Sequence, residues 1–334
     1  MSISARQVVL DRRPAGSPKA DDFRIDTVAL GDLDEGQVLV KNSWLSLDPY
    51  MRLYMSEQPG LHGSVPLGAP MPGGAVGEVI ASRSPALPSG TFVTSMAQGW
   101  RDHYIAETDQ LQAVGNSAVP IQRYLGAYGL TGITAWGGIN GVLKPQTGET
   151  ILINGAAGAV GSIAMQLARI AGVKVIACAG SDDKGKWLTQ TLGAHHFINY
   201  RTEDVGTRLG ELAPDGIEMF FDNVGGSQLE VAIDAMRPKG RMALCGAISL
   251  YDGDNYRAGP DNLFAVIEKH VSVTGFNAGF YFDQAPQIIA EFARLEAQGA
   301  LVCEETIVDG LDAMSQGFVD MLTGSNKGKM LVRL

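Results

Sequence analysis

Cysteine and histidine are scarce in this chain, with three and five among 334 residues. Cys178, Cys245 and Cys303 are widely spaced, which predicts neither a disulfide framework nor a cysteine-rich zinc lobe. Cys178 and Cys245 fall in apolar, strand-like runs, so they read as core thiols of a reducing, cytoplasmic environment. A catalytic zinc needs a first shell of Cys, His and carboxylate ligands, and no cluster of that kind can be read from the sequence. The adjacent His195 and His196 precede a strand-like run and read as core and loop, so no metal site is predicted. No apolar run reaches the length of a membrane span, and Arg6, Asp11, Arg12 and Arg13 interrupt the N-terminal region, so neither a span nor a signal peptide is expected. The formal net charge is −10, from 26 Lys and Arg against 36 Asp and Glu. With no basic run or basic helical face, nucleic acid and anionic membranes are not expected as partners.

Small and apolar residues are plentiful, and the stretch 150–184 is organised around them. Ile151, Leu152 and Ile153 form the short apolar run of a buried parallel strand. A glycine turn follows. Val160, Ile163, Ala164, Leu167, Ala168 and Ala171 then recur with helical period and mark one apolar face. Gly172 ends the helix and 173–178 reads as a second strand. The unit is βαβ, and its turn carries Ala156-x-Gly158-x-x-Gly161. Gly158 leaves its backbone open to a pyrophosphate, Gly161 permits close packing, and the helix N-terminus offers free N–H groups and partial positive charge. An NAD site usually has Asp or Glu at the end of the second strand to hold the ribose hydroxyls. Here Ala179-Gly180-Ser181 stands there, Lys184 follows within reach of a 2′-phosphate, and Asp182 and Asp183 lie further along the loop. The reading is NADP(H).

The regions around this unit differ in pattern. Residues 1–122 alternate short strand-like runs (37–41, 77–81, 91–94, 103–105) with Pro and Gly, which predicts an irregular β domain. Within it, 44–55 is dense in aromatic and methionine side chains. Tyr50 and Tyr54 share a face if that segment is helical. They are either core aromatics or the lining of an apolar pocket with hydroxyls able to reach a substrate oxygen. The small-residue run 126–138 predicts a tightly packed helix. Further strands at 195–200, 217–223, 241–246 and 271–276 alternate with helices and predict a parallel, doubly wound sheet. Ligands of such sheets bind beyond the C-terminal strand ends. The residues there are Tyr200, Asn223 to Gly226, Gly246 to Ser249, and Phe276-Asn277. A helix near 287–298 and a strand at 329–334 close the chain, and the tail is expected to return to the first domain.

Leu47-Asp48-Pro49-Tyr50-Met51-Arg52, the turn Asn154 to Ser162, Gly180-Ser181-Asp182-Asp183-Lys184, Asp222-Asn223-Val224-Gly225-Gly226, Cys245-Gly246-Ala247-Ile248-Ser249 and Asn326-Lys327-Gly328-Lys329 occur in this order. Together they resemble the zinc-free medium-chain dehydrogenase/reductases, in the branch of leukotriene B4 12-hydroxydehydrogenase, prostaglandin reductase, curcumin reductase and alkenal double-bond reductase. The resemblance implies an α/β fold in which a Rossmann doubly wound parallel sheet (123–290) is inserted in a GroES-like, mostly-β catalytic domain (1–122, with a C-terminal return at 291–334). It implies NADPH-dependent reduction of the C=C bond of enones and enals by a homodimer. It also implies that Gly158, Ala159, Val160 and Gly161 hold the pyrophosphate, and that Lys184 meets the 2′-phosphate with Tyr200 beside the adenosine. Asn223, Cys245, Gly246, Ala247, Ile248, Ser249, Tyr251, Phe276, Asn277 and Ala278 would follow the cofactor toward the nicotinamide, and Asn326 would reach it from the tail. Tyr50 matches a tyrosine near the substrate. The chain departs from the pattern in having Leu130-Thr131-Gly132 where Met-Pro-Gly is frequent, Glu268 aligned with a substrate-side tyrosine, and Gly74 at a position that is tyrosine in some plant members.

Hydride addition to the β-carbon of an enone leaves negative charge on the carbonyl oxygen, and hydrogen-bond donors can stabilise it. Tyr50, Tyr54 and Tyr251 are the candidate catalytic donors, and solvent or a tyrosine protonates the α-carbon. Two alternatives stand beside this reading: a zinc-free quinone oxidoreductase or hydroxy-lipid dehydrogenase, and a non-catalytic NADP-binding module. Substrate preference should lie in the Gly- and Pro-rich loops 56–72 and 250–262.

Overall fold

The computed structural model describes residues 3–57, 63–115, 119–251 and 259–334. Parts of the two loops singled out above, 58–62 and 252–258, lie outside the described residues. By internal contacts the chain divides into two units. One comprises 1–125, 305–326 and 330–334, the other 126–304 and 327–329.

The first unit begins with β1 (Ile3–Leu10) and β2 (Phe23–Leu30), an antiparallel pair. Then come β3 (Gln37–Ser46), β4 (Ala75–Ser82), β5 (Phe92–Ser95), β6 (His103–Glu107) and β7 (Gln112–Ala113). Strand β3 pairs antiparallel with β4 and with β6. Its register against β4 shifts between Asn42 and Trp44. Gly77 makes that irregularity possible, because a Cβ there would lie 2.4 Å from the Lys41 carbonyl oxygen. A bulge of this kind bends a strand and re-aims its side chains, and β3 accordingly passes from the core that holds Val38 and Val40 to the one that holds Leu45.

The second unit starts with α1 (Leu130–Trp136), which continues as a wider helical turn over Gly137–Leu143. The predicted small-residue helix is therefore present, and its glycines are contact sites. A Cβ on Gly132 would lie 1.8 Å from the Ala127 carbonyl oxygen, and one on Gly138 would lie 2.3 Å from the Phe221 ring. Strands and helices then alternate: β8 (Thr150–Ile153), α2 (Ala159–Ile170), β9 (Lys174–Ala179), α3 (Asp182–Lys186), β10 (His196–Asn199), α4 (Val205–Leu212), β11 (Ile217–Asp222), α5 (Ser227–Ala235), β12 (Met236–Leu244), α6 (Leu263–Glu268), β13 (Ser272–Gly275) and α7 (Ala285–Ala297). All neighbouring strands are parallel, in the order β10-β9-β8-β11-β12-β13. Chain direction across the sheet reverses between β8 and β11, the place where a doubly wound sheet opens a crevice for a ligand. Strand β12 ends at Leu244, short of the expected 246. The Cys245 and Gly246 N–H groups turn instead to the Asp222 carbonyl, at 2.8 and 3.1 Å.

The chain finishes with β14 (Glu305–Asp309), α8 (Met314–Leu322) and β15 (Lys329–Arg333). In the first unit's sheet β15 stands between β14 and β3, with Leu331 opposite Ser46. Met314, Phe318, Met330 and Val332 join Leu45, Leu47, Met51 and Trp100 in one buried cluster. The tail is thus held by its apolar side chains and by a ladder it shares with β3.

Candidate functional site

The glycine turn in the second unit is built from backbone alone. Gly155 takes φ +56°, a left-handed conformation that glycine adopts without steric cost. The Gly158 N–H closes the turn on the Gly155 carbonyl at 3.0 Å. A Cβ on Gly161 would lie 2.4 Å from that same oxygen, so the first turn of α2 packs against the turn backbone through a bare glycine. At Gly158 the nearest atom to an added Cβ is the Gly155 oxygen at 3.3 Å, with nothing else within 4 Å. Gly158 is also the N-cap of α2, and no side chain caps it. The N–H groups that open the helix, next to half-buried Ala159 and Val160, are therefore presented as an anion site.

A cationic corner lies at the end of β9. Pairing of β10 with β9 sets Asn199 opposite Ala179, and the Tyr200 N–H donates to the Ala179 carbonyl at 3.2 Å. This carries Tyr200 and Arg201 over Gly180. A Cβ on Gly180 would lie 2.7 Å from the Tyr200 Oη and 3.1 Å from the Arg201 Nε. The Arg201 guanidinium lies 5.9 Å from the Tyr200 ring centre. Ser181 caps α3 by accepting the Lys184 N–H at 3.3 Å. Burial, then the charges of Arg201 and Lys327, hold the Lys184 ammonium below its ordinary value. Three cations thus share one neighbourhood. The Asp182 carboxylate, at the start of α3, accepts the Asn199 Nδ2 at 2.7 Å. Of the three cations, Lys184 alone stands out from the sequence. Arg201 adjoins a chosen tyrosine and Lys327 sits inside a recognised motif, and neither position signals proximity to Lys184.

The loops after β8 and β11 are tied through a buried carboxylate. Asp222 is 1% exposed. Its Oδ1 accepts the Asn154 Nδ2 at 2.7 Å, the Val224 N–H at 2.9 Å and the Gly225 N–H at 2.8 Å. Asn154 in turn accepts the Asn223 N–H on its Oδ1 at 2.6 Å, and its carbonyl accepts the Asn223 Nδ2 at 2.8 Å. Asn223 is therefore held through both its backbone and its amide. The half-buried stretch Cys245, Gly246, Ala247, Ile248, Ser249 follows β12, and Ser249 Oγ donates to the Val224 carbonyl at 2.7 Å. Burial, reinforced by Asp222, pushes the Cys245 thiol up to about 12, so it stays protonated at neutral pH. Tyr251 has its Oη 3.5 Å from where a Cβ on Gly246 would stand, and burial raises its phenol above the ordinary value. Phe276 packs edge-on to Phe221 at 5.9 Å, Asn277 accepts the Gly279 N–H at 2.8 Å, and Ala278 is buried.

In the first unit, Tyr50 and Tyr54 lie on one 3₁₀ turn, Pro49–Met55. Their rings meet edge to face at 5.9 Å. Both pack on the cluster containing Met51, Met55, Leu47 and Trp100. Burial is the main cause that lifts the Tyr50 phenol well above its ordinary value, with Asp48 and Tyr54 adding to it, and burial alone lifts Tyr54. Both phenols are neutral hydrogen-bond donors at physiological pH. Asn326, also assigned to this unit, is 9% exposed. Glu268 is exposed and ends α6, ahead of β13. It therefore stands just before the last strand of the sheet, the place at which it was aligned. Gly74 is close-packed, since a Cβ there would lie 3.1 Å from the Ser46 Cβ. Among the described residues no group of three or more His, Cys, Asp or Glu side chains is placed to hold a metal ion. No helix among them is long and apolar enough to cross a membrane.

Comparison with known proteins gives this geometry a family. Residues 6–114 match the model described as the N-terminal domain of oxidoreductase, and residues 159–294 match the one described as zinc-binding dehydrogenase. The NADPH-dependent curcumin reductase of Escherichia coli is 32% identical over 98% of this chain and 96% of its own length. The NADP-dependent 2-alkenal reductase of Nicotiana tabacum is 34% identical over 99% of this chain and 97% of its own. The crystal structure of CurA from Vibrio vulnificus in complex with NADPH superposes with a TM-score of 0.91 at 30% identity, covering 98% of both chains. The chain belongs to the zinc-free medium-chain dehydrogenase/reductases, in the branch of the prostaglandin, curcumin and alkenal reductases.

Proposed function

We propose that this protein uses NADPH to reduce the C=C bond of α,β-unsaturated ketones and aldehydes. The residues fit the cofactor: an open glycine turn at an uncapped helix N-terminus for the pyrophosphate, and Lys184 with Arg201 and Tyr200 at the ribose end. Asn223, the stretch 245–251 and Phe276 to Ala278 are the proposed path toward the nicotinamide, with Asn326 from the tail. Bound NADPH supplies the hydride. The observation that carries the reaction class is the pair of neutral, half-buried phenols on an apolar bed at Tyr50 and Tyr54. A phenol held protonated donates a hydrogen bond to the substrate carbonyl oxygen, and that bond strengthens as hydride reaches the β-carbon and charge moves onto the oxygen. Tyr251 is a further candidate donor. The α-carbon then takes a proton from solvent or a tyrosine, which completes addition of two hydrogens.

Tyr50→Phe is expected to lower the turnover number for a simple enone about 10²–10³-fold, the usual loss for one donor in a water-poor site, while the Kd for NADPH stays unchanged. Wild-type rates in both Tyr50→Phe and Tyr54→Phe would sink the donor assignment. A semiquinone product, or a dehydrogenated alcohol, would point to the quinone or hydroxy-lipid reading. NADPH binding without turnover across an enone panel would point to a non-catalytic module.

We also propose a homodimer through the edge of the second unit's sheet. Strand β13 is exposed along its length, and Leu263, Phe264, Ile267 and Phe280, in the segments before and after it in the chain, are 54%, 66%, 68% and 72% exposed. An open edge with large apolar residues around it is a surface that proteins normally cover. Light scattering on the purified chain should give twice the chain mass, and a monomer at micromolar concentration would refute the proposal. The three free thiols suit a reducing compartment such as the cytoplasm.

A further inference from the structure

The segment that leads into the last strand lies along the glycine turn. The Gly328 N–H donates to the Ala157 carbonyl at 2.9 Å, and Gly328 forms a parallel bridge with Gly158. On its other side the strap is held by the Lys329 N–H, which donates to the Glu304 carbonyl at 3.0 Å. Gly328 takes φ +63°, and a Cβ on it would lie 2.1 Å from the Glu304 oxygen. Both the conformation and the space restrict this position to glycine. The strap therefore occupies one side of Ala157 and Gly158, and the phosphate turn is braced by a segment about 170 residues further along the chain. Lys327, the residue before Gly328, is half-buried. Its charge acts on Lys184 together with that of Arg201, so it sits toward the ribose end of the site, whereas the pyrophosphate is served by the N-terminus of α2.

We infer that the strap is a working part of the cofactor site: Gly328 positions the phosphate turn, and Lys327 is a third cation for the 2′-phosphate of NADPH. The inference rests on the NADP(H) reading above. It means that discrimination between the two dinucleotides is spread over Lys184, Arg201 and a residue of the C-terminal return, so the tail takes part in selecting the cofactor. Two neighbouring cations already repel Lys184. A phosphate dianion among the three relieves that repulsion and gains from each of them.

The test is equilibrium titration of the full-length protein with NADPH, NADH, 2′,5′-ADP and 5′-AMP by calorimetry. Lys327→Gln should raise the Kd for NADPH and for 2′,5′-ADP about tenfold, the effect of one charge-assisted contact, and leave NADH and 5′-AMP unchanged. Lys327→Arg should restore most of the loss. Gly328→Ala should weaken NADPH and NADH by a similar factor, because it displaces the turn both of them use. Lys327→Gln changes a partly exposed side chain, and it keeps the test decisive if Gly328→Ala does not fold. Equal losses for NADPH and NADH in Lys327→Gln, or no loss in either, would overturn the assignment of Lys327 while the NADP(H) reading stands. A wild-type protein that binds NADH as tightly as NADPH, and 5′-AMP as tightly as 2′,5′-ADP, would remove that reading itself.

Discussion

Asp222→Ala is expected to lower the unfolding free energy by roughly 3 kcal/mol or more, because it leaves several buried donors without an acceptor at about 1–3 kcal/mol each. The donors are the Asn154 Nδ2 and the Val224 and Gly225 N–H groups, which now meet on one carboxylate oxygen. Against a typical total of about 5–15 kcal/mol this is a large fraction. Asp222→Asn keeps an acceptor at the same place and should cost far less. The two variants also differ in pH dependence. Burial raises the Asp222 carboxyl above its ordinary value of 3.8, and the hydrogen bonds from Gly225, Asn154 and Val224 offset that only in part. A raised carboxyl contributes stability that is fully present below the ordinary value and is lost as pH climbs through the raised one. Wild type should therefore lose this contribution on going upward from about pH 4, and Asp222→Asn should not. Urea denaturation at several pH values measures both effects. A loss in Asp222→Ala no larger than in Asp222→Asn would show that the carboxylate does not hold the Asn154–Asn223 loop pair.

The second large effect concerns cofactor choice. The Lys184→Ala, Arg201→Ala double variant should reduce the preference for NADPH over NADH by about 10²–10⁴, since each contact to a phosphate dianion is worth roughly 1.5–3 kcal/mol. Most of the change should appear as weaker NADPH binding. NADH affinity should hold, because NADH carries no 2′-phosphate for these cations to meet. Titration of both dinucleotides measures the ratio. The salt dependence of NADPH binding should also flatten, as fewer charges are then opposed. A preference that survives the double variant would mean that the 2′-phosphate lies elsewhere.

The βαβ unit at 150–179 was legible because its signals are local. An apolar run, a glycine turn and a 3.6-residue period each depend on near neighbours in the chain, and they became β8, α2 and β9 within one or two residues of the expected ends. The grouping of Tyr50 with Tyr54 was legible for the same reason, being a matter of spacing within one turn. Other features depended on pairings between distant segments. The sequence shows two aspartates after Ser181, but only the fold brings the buried Asn199 to the Asp182 carboxylate. Arg201 reaches Gly180 because β10 pairs with β9, and Lys327 comes to the same region because the tail returns along Ala157 and Gly158. Local periodicity thus determined the elements of this protein. Charge, burial and the three-dimensional neighbourhood of each cation were decided by strand order and by the returning tail, because electrostatic and packing energies depend on distance in space, to which separation along the chain is no guide.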